Sequence, residues 1–179
     1  MLEKSIPLEV PSEVWEELYT RTGALVVNWA LLETTINLII AVIYHEVGGK
    51  EVDPKIPVPF KRKAKFLRLC FKRIEALEPY AEQGLSIVDE ATSIATTRNM
   101  VVHSAIHAYD KTSGTFTFLK LDVADQDTIH RMNMATKTLL DIKDTGKSAL
   151  DLAEAATNFI QSLKEAFLRE KPSLREKPS

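Results

Sequence analysis

The chain has 179 residues, 23 Lys plus Arg against 25 Asp plus Glu, and a net charge of -2 with His neutral. A hydrophobic fraction of 45% and a charged fraction of 27% argue against a wholly disordered chain, and six glycines with eight prolines exclude a collagen-like or linker-dominated one. The lone cysteine, Cys70, excludes an intrachain disulfide framework and a cysteine-rich zinc site.

Residues 1–11 carry Pro7 and Pro11 and read as an extended lead-in. Ser12 is placed as an N-cap, and from Val14 to about His45 only Gly23 interrupts a helical pattern. Gly costs about 1 kcal/mol against Ala inside a helix, so a bend is expected there. The stretch from Ala24 to Tyr44 is apolar on most of its circumference, which predicts a helix buried on several sides that also feeds an interface. Residues 48–59, with Pro54, Pro57 and Pro59, read as a loop. A second helix is expected from Phe60 to Leu77, where Phe60, Ala64, Leu67, Phe71 and Ile74 form an apolar stripe. Pro79 ends or interrupts it, and a third helix runs from about Tyr80 to His103.

Beyond Ser104 the period changes to alternation. Residues 107–121 read as a hairpin with Lys111-Thr112-Ser113-Gly114 as its turn, and a weaker third strand falls at about Thr128–Ala135. The last helix is placed at about Thr138–Leu168, with small residues at mid-length. The end of the chain, residues 169–179, completes a tandem LREKPS repeat and reads as a polar tail.

No secretory signal is legible at the N-terminus. The most apolar uninterrupted run, Leu38–Tyr44, is far shorter than the about 20 residues a transmembrane helix needs. No membrane association is expected, and a cytoplasmic location follows as the default.

The chemistry-bearing constellation is Arg98-Asn99 followed by His103, at the end of the third helix. This arrangement resembles the Arg-polar-x-x-x-His motif of the HEPN superfamily (higher eukaryotes and prokaryotes nucleotide-binding). The order of elements is similar too: an apolar first helix with Trp29 and Glu33, a prolyl loop, a second helix, the motif, a small β segment and a final amphipathic helix. The resemblance covers residues 12–168 and implies one mainly α domain, a four-helix bundle with an antiparallel β insertion at about 105–135. It implies a metal-independent endoribonuclease, a toxin or host-defence effector, that cleaves single-stranded RNA to 2′,3′-cyclic phosphate ends. The alternative is a non-catalytic HEPN-like module that binds a partner protein, such as an antitoxin, or a nucleotide.

The residue types suit that chemistry. His changes charge near neutral pH and moves protons, whereas Arg stays charged and offers a planar fork to phosphate oxygens. Asn99 would position by hydrogen bonding. Five residues on an ideal helix separate Arg98 from His103 by about 140°, so both reach one phosphate only if the helix ends near Val102 or if two copies pair. A homodimer is therefore expected, as HEPN ribonucleases imply. A purely structural reading stands beside this: Arg98 pairs with Glu33 or Glu90, and His103 caps the helix.

Residues 60–73 hold seven basic residues and no acid. Lys61, Lys65, Arg68 and Lys72 share one helical face and are the candidate RNA-binding residues; the plainer reading is a solvated face. No cofactor and no metal site is expected. His107 falls in a strand, and His45-Glu46 lacks further ligands. Cys70 reads as buried and inert, and Trp15 and Trp29 as core.

Overall fold

The computed structural model describes residues 9–122 and 131–168. The polar tail and part of the expected third strand, 128–130, lie outside them. The described residues are mainly helical with one small antiparallel sheet. Helix α1 spans Ser12–Glu46, α2 is a single turn at Gly49–Val52, α3 spans Phe60–Arg73, a 3-10 helix spans Glu75–Tyr80, α4 spans Ala81–Val102 and α5 spans Leu139–Phe167. Strands β1 (Ala105–Asp110), β2 (Thr115–Asp122) and β3 (Arg131–Thr138) lie between α4 and α5 in the order β1-β2-β3.

Several boundaries differ from the expected ones. Ser12 is the first residue of α1, not its cap: the carbonyl of Pro11 accepts from the amides of Val14 and Trp15. Pro59 serves α3 in the same way, accepting from Arg62 and Lys63. A proline before a helix loses nothing, because it needs no intrahelical N–H there. Helix α3 stops at Arg73 rather than Leu77, and Pro79 sits inside the 3-10 helix. The loop at 48–59 contains α2. Gly23 leaves α1 unbroken. Strand β3 extends to Thr138.

The described residues form two compact units. The first takes residues 9–29, 94–122 and 131–149. Its core is Leu18, Leu25, Val101, Phe116, Phe118 and Ile142, with Trp15 and Tyr109 partly buried against it. Phe116 is the centre of an aromatic cluster, its ring 4.7 Å from Tyr109, 6.2 Å from Trp15 and 6.4 Å from Phe118. Alternation in β2 explains this: Phe116 and Phe118 face inward, and Leu121 lies on the other face, exposed with its β3 partner Met132 and with Met134. The turn is the expected one. Gly114 takes φ 65, and Asp110 Oδ1 accepts from the Thr112 amide while Oδ2 accepts from the Ser113 hydroxyl. Helix α5 starts directly after β3 with a capping box, in which Thr138 N–H donates to Asp141 Oδ2 and Asp141 N–H donates to Thr138 Oγ1.

The second unit takes residues 30–93 and 150–168. Its buried residues include Leu32, Ile36, Ile39, Ile43, Leu67, Phe71 and Phe159. Phe71 packs at 6.0 Å on Phe159, and its ring fills the space left by Gly84 of α4. The Tyr44 hydroxyl fastens the prolyl loop by donating to the carbonyl of Pro54 at 2.8 Å. Trp29, in the first unit, is buried as expected, and Trp15 only partly.

By length and composition, α1 is apolar enough to cross a membrane, with a mean hydropathy of 1.8 over its best window, of which 44% is buried. The seven-residue run considered from sequence understated this, because Thr, Asn and Glu interrupt the run without lowering the window average far.

Candidate functional site

Helix α4 ends at Val102, so His103 lies just beyond it. Its amide still donates to the carbonyl of Asn99 at 3.1 Å, which holds the residue at the helix end while releasing its side chain from helical geometry. No Gly or Pro ends α4; the chain passes through His103 and Ser104 into β1, whose pairing with β2 takes over.

This ending brings together the residues that a straight helix would hold apart. Arg98 Nη1 lies 2.9 Å from His103 Nε2 and donates to Asn99 Oδ1 at 2.9 Å. The first of the two geometries allowed from sequence requires the helix to end near Val102, and it does. Guanidinium carries only donors, so a hydrogen bond at this contact takes Nε2 as the acceptor, which is the tautomer with the proton on Nδ1. His103 and Asn99 are exposed and Arg98 is half-buried. Arg98 Nε is buried without a hydrogen-bond partner.

The structural alternative is not realised as framed. Glu33 receives Lys63 Nζ at 2.8 Å, and Arg98 engages Asn99 and His103. His103 does occupy the helix C-terminus, with its ring 2.9 Å from Arg98 Nη1.

The four residues of the basic face divide. Lys61, Lys65 and Lys72 of α3 are exposed and form no ion pair among the described residues. Arg68 is committed: its Nε and Nη2 both donate to Asp89 Oδ1, at 3.1 and 2.7 Å, and Nη2 also reaches Thr92 Oγ1. Lys63, counted among the seven basic residues, turns inward and is 7% exposed. The basic face belongs to the second unit and the Arg98 cluster to the first.

The other candidates carry less chemistry. His107 is the extra residue of a β-bulge between Ile106 and Ala108 and is exposed. His45 and Glu46 line a mostly apolar recess of about 310 Å³ in the second unit, with Leu38 and Lys164. Among the described residues no group of three or more His, Cys, Asp or Glu is placed to hold a metal ion. Cys70 is fully buried, and desolvation, with a smaller effect of Asp53, pushes its thiol up to about 12.

Comparison with protein-family profiles, with curated proteins and with solved structures finds no match to this chain.

Proposed function

We propose that the chain is a metal-independent endoribonuclease built on a HEPN-like four-helix bundle, with Arg98, Asn99 and His103 as its catalytic residues. The observation that carries this reading is the contact of 2.9 Å between half-buried Arg98 and exposed His103, with Asn99 on the same guanidinium nitrogen. A purely structural pair would gain most by burying both partners, and here the imidazole is left open to solvent.

The chemistry follows from the groups. The 2′-hydroxyl of RNA attacks the adjacent phosphorus; the O2′–P bond forms and the P–O5′ bond breaks. His103 Nε2 takes the proton from O2′, and a second imidazole returns one to O5′. Arg98 offsets charge on the non-bridging oxygens, where a planar fork matches their spacing. Asn99 holds the guanidinium in place. The products are a 2′,3′-cyclic phosphate and a 5′-hydroxyl. The second imidazole is assigned to a second copy, so the working form is a homodimer. Lys61, Lys65 and Lys72 supply backbone charge for single-stranded RNA, with Arg68 held partly by Asp89. A cytoplasmic toxin or host-defence role accompanies this reading.

A second reading draws on the exposed Leu121, Met132 and Met134 of the sheet: a non-catalytic module whose partner is a protein. One experiment separates them. Labelled single-stranded RNA is incubated in EDTA with the wild type and with His103→Ala. Cleavage by the wild type that falls about 10²–10⁴-fold in the variant supports the ribonuclease. No cleavage over a range of RNAs favours the binding module, and equal cleavage by both proteins removes His103 from the mechanism.

A further inference from the structure

As the structure stands, His103 is not free to act as a base. The lone pair of Nε2 is the one a base would use, and Arg98 Nη1 already occupies it at 2.9 Å. The opposite ring nitrogen carries the proton in this tautomer and accepts nothing. A second feature marks the arrangement as incomplete for Arg98 as well. Nη1 serves both Asn99 and His103, while Nε is buried with no acceptor at all. A buried donor left unpaired is costly, so this guanidinium is not at its best position unless an acceptor arrives.

We infer that Arg98 and His103 form a two-position switch thrown by an oxyanion: phosphate draws the guanidinium off Nε2 and thereby frees the base. This rests on the reading of Arg98 as the phosphate-holding group. In the resting position Arg98 donates to a neutral imidazole nitrogen. In the second it donates to anionic oxygens, which accept more strongly and match two N–H groups at once. The exchange leaves Nε2 open beside the bound phosphate, where the nucleophile's proton is. Asn99 Oδ1 gives the guanidinium a fixed point about which to turn, since it lies on the residue next in sequence and needs no partner from elsewhere. The ligand class is a phosphate mono- or diester; inorganic phosphate contains the recognised group and cannot be cleaved. An unliganded protein of this design keeps its base covered, and proton transfer waits for the substrate.

The test reads the imidazole directly. Protein labelled with ¹⁵N in histidine is titrated with inorganic phosphate at constant ionic strength and pH 8.5, well above the ordinary imidazole range. His103 is assigned from the spectrum of His103→Gln. Without phosphate, His103 should show the Nδ1–H tautomer with Nε2 shifted as a hydrogen-bond acceptor. Phosphate should move Nε2 saturably, leaving His45 and His107 where they were. Arg98→Ala should weaken phosphate binding by at least about 100-fold, the loss of two charge-assisted hydrogen bonds, and Arg98→Lys serves where the alanine variant misfolds. An Nε2–H tautomer in the free protein overturns the inference, as does phosphate binding that leaves His103 unmoved or that survives Arg98→Ala. Cleavage of RNA without this response would keep the ribonuclease and discard the switch. The response without cleavage would keep the switch and discard the ribonuclease.

Discussion

Two glycine-to-alanine substitutions in helices should act in opposite directions. Alanine is favoured over glycine inside a helix by about 1 kcal/mol, so propensity alone stabilises both. Gly23 of α1 is exposed, and a Cβ built there meets nothing within 4 Å. Gly23→Ala should therefore gain about 1 kcal/mol, or about 2–4 °C in a chain of this size. Gly84 of α4 is different. A Cβ there would lie 2.2 Å from Phe71 Cζ and 2.6 Å from both Cε atoms. The nearest approach falls 1.2 Å short of the 3.4 Å at which ordinary contact begins. The ring cannot simply retreat, because Phe71 is 5% exposed and packs on Phe159. Overpacking of this kind costs about 1–3 kcal/mol, which equals or exceeds the propensity gain. Because propensity is common to both variants, their difference isolates the steric cost. Urea denaturation followed by circular dichroism gives that difference through the midpoints at constant slope. Phe71→Leu in the Gly84→Ala background should recover part of the loss, a non-additivity expected of residues in contact. If Gly84→Ala proves as stabilising as Gly23→Ala, the Phe71 ring does not occupy the space beside α4, and the packing argument fails.

Glu33→Gln leaves the ammonium of Lys63 buried without its anion and should cost about 1–3 kcal/mol, whereas Lys63→Met, which removes the charge and keeps the volume, should cost less; an equal loss in urea titrations would show that the pair contributes only through packing. Cys70 should react with iodoacetamide at pH 8 about three orders of magnitude more slowly than a free cysteine, since a thiol at about 12 is almost wholly protonated there, and at the ordinary rate once denaturant unfolds the chain; rapid labelling of the native protein would contradict its burial. Thr138→Ala should remove the N-cap of α5 at a cost of about 0.5–2 kcal/mol, measured by thermal denaturation. The carboxyl of Asp141 is held below its ordinary value chiefly by the Thr138 amide, then by the Thr138 hydroxyl. A carboxyl lowered in the folded state stabilises above its ordinary range, and that contribution is lost as pH falls through the folded value. Asp141→Asn should therefore be less stable than wild type at pH 7, with the gap closing below about pH 4.

Local patterns were legible where the physics is local. The stripe through Ala64, Leu67 and Phe71 is buried as its spacing predicts, and the turn at Lys111–Gly114 follows from an Asp before it and a Gly at its end. Partners distant in sequence were not legible. Lys63 lies one turn before Leu67 on the apolar side of α3, so it had to turn inward, but its anion sits 30 residues earlier in α1. Arg68 looked free on its own helix and is held by Asp89, 21 residues later. The end of α3 was misplaced because a 3-10 turn continues an apolar pattern without continuing the helix. For the candidate site, the residues were readable and the contact was not. Whether Arg98 meets His103 depends on the residue at which α4 stops, and no breaker in the sequence marks it.

The connections around the sheet also say where this chain tolerates changes in length. Two residues, His103 and Ser104, separate α4 from β1, and none separates β3 from α5. One residue inserted between Thr138 and Leu139 must either rotate α5 by about 100° or slip β3 and exchange its two faces. The first would turn Ile142 away from Phe116 and Phe118; the second would turn Met132 and Met134 toward them. The turn at Lys111–Gly114 has no such linkage, because its four residues are exposed or nearly so and join strands already in register. Among related chains, additions should gather at that turn, while the strand-to-helix junction keeps its length even where its residues change.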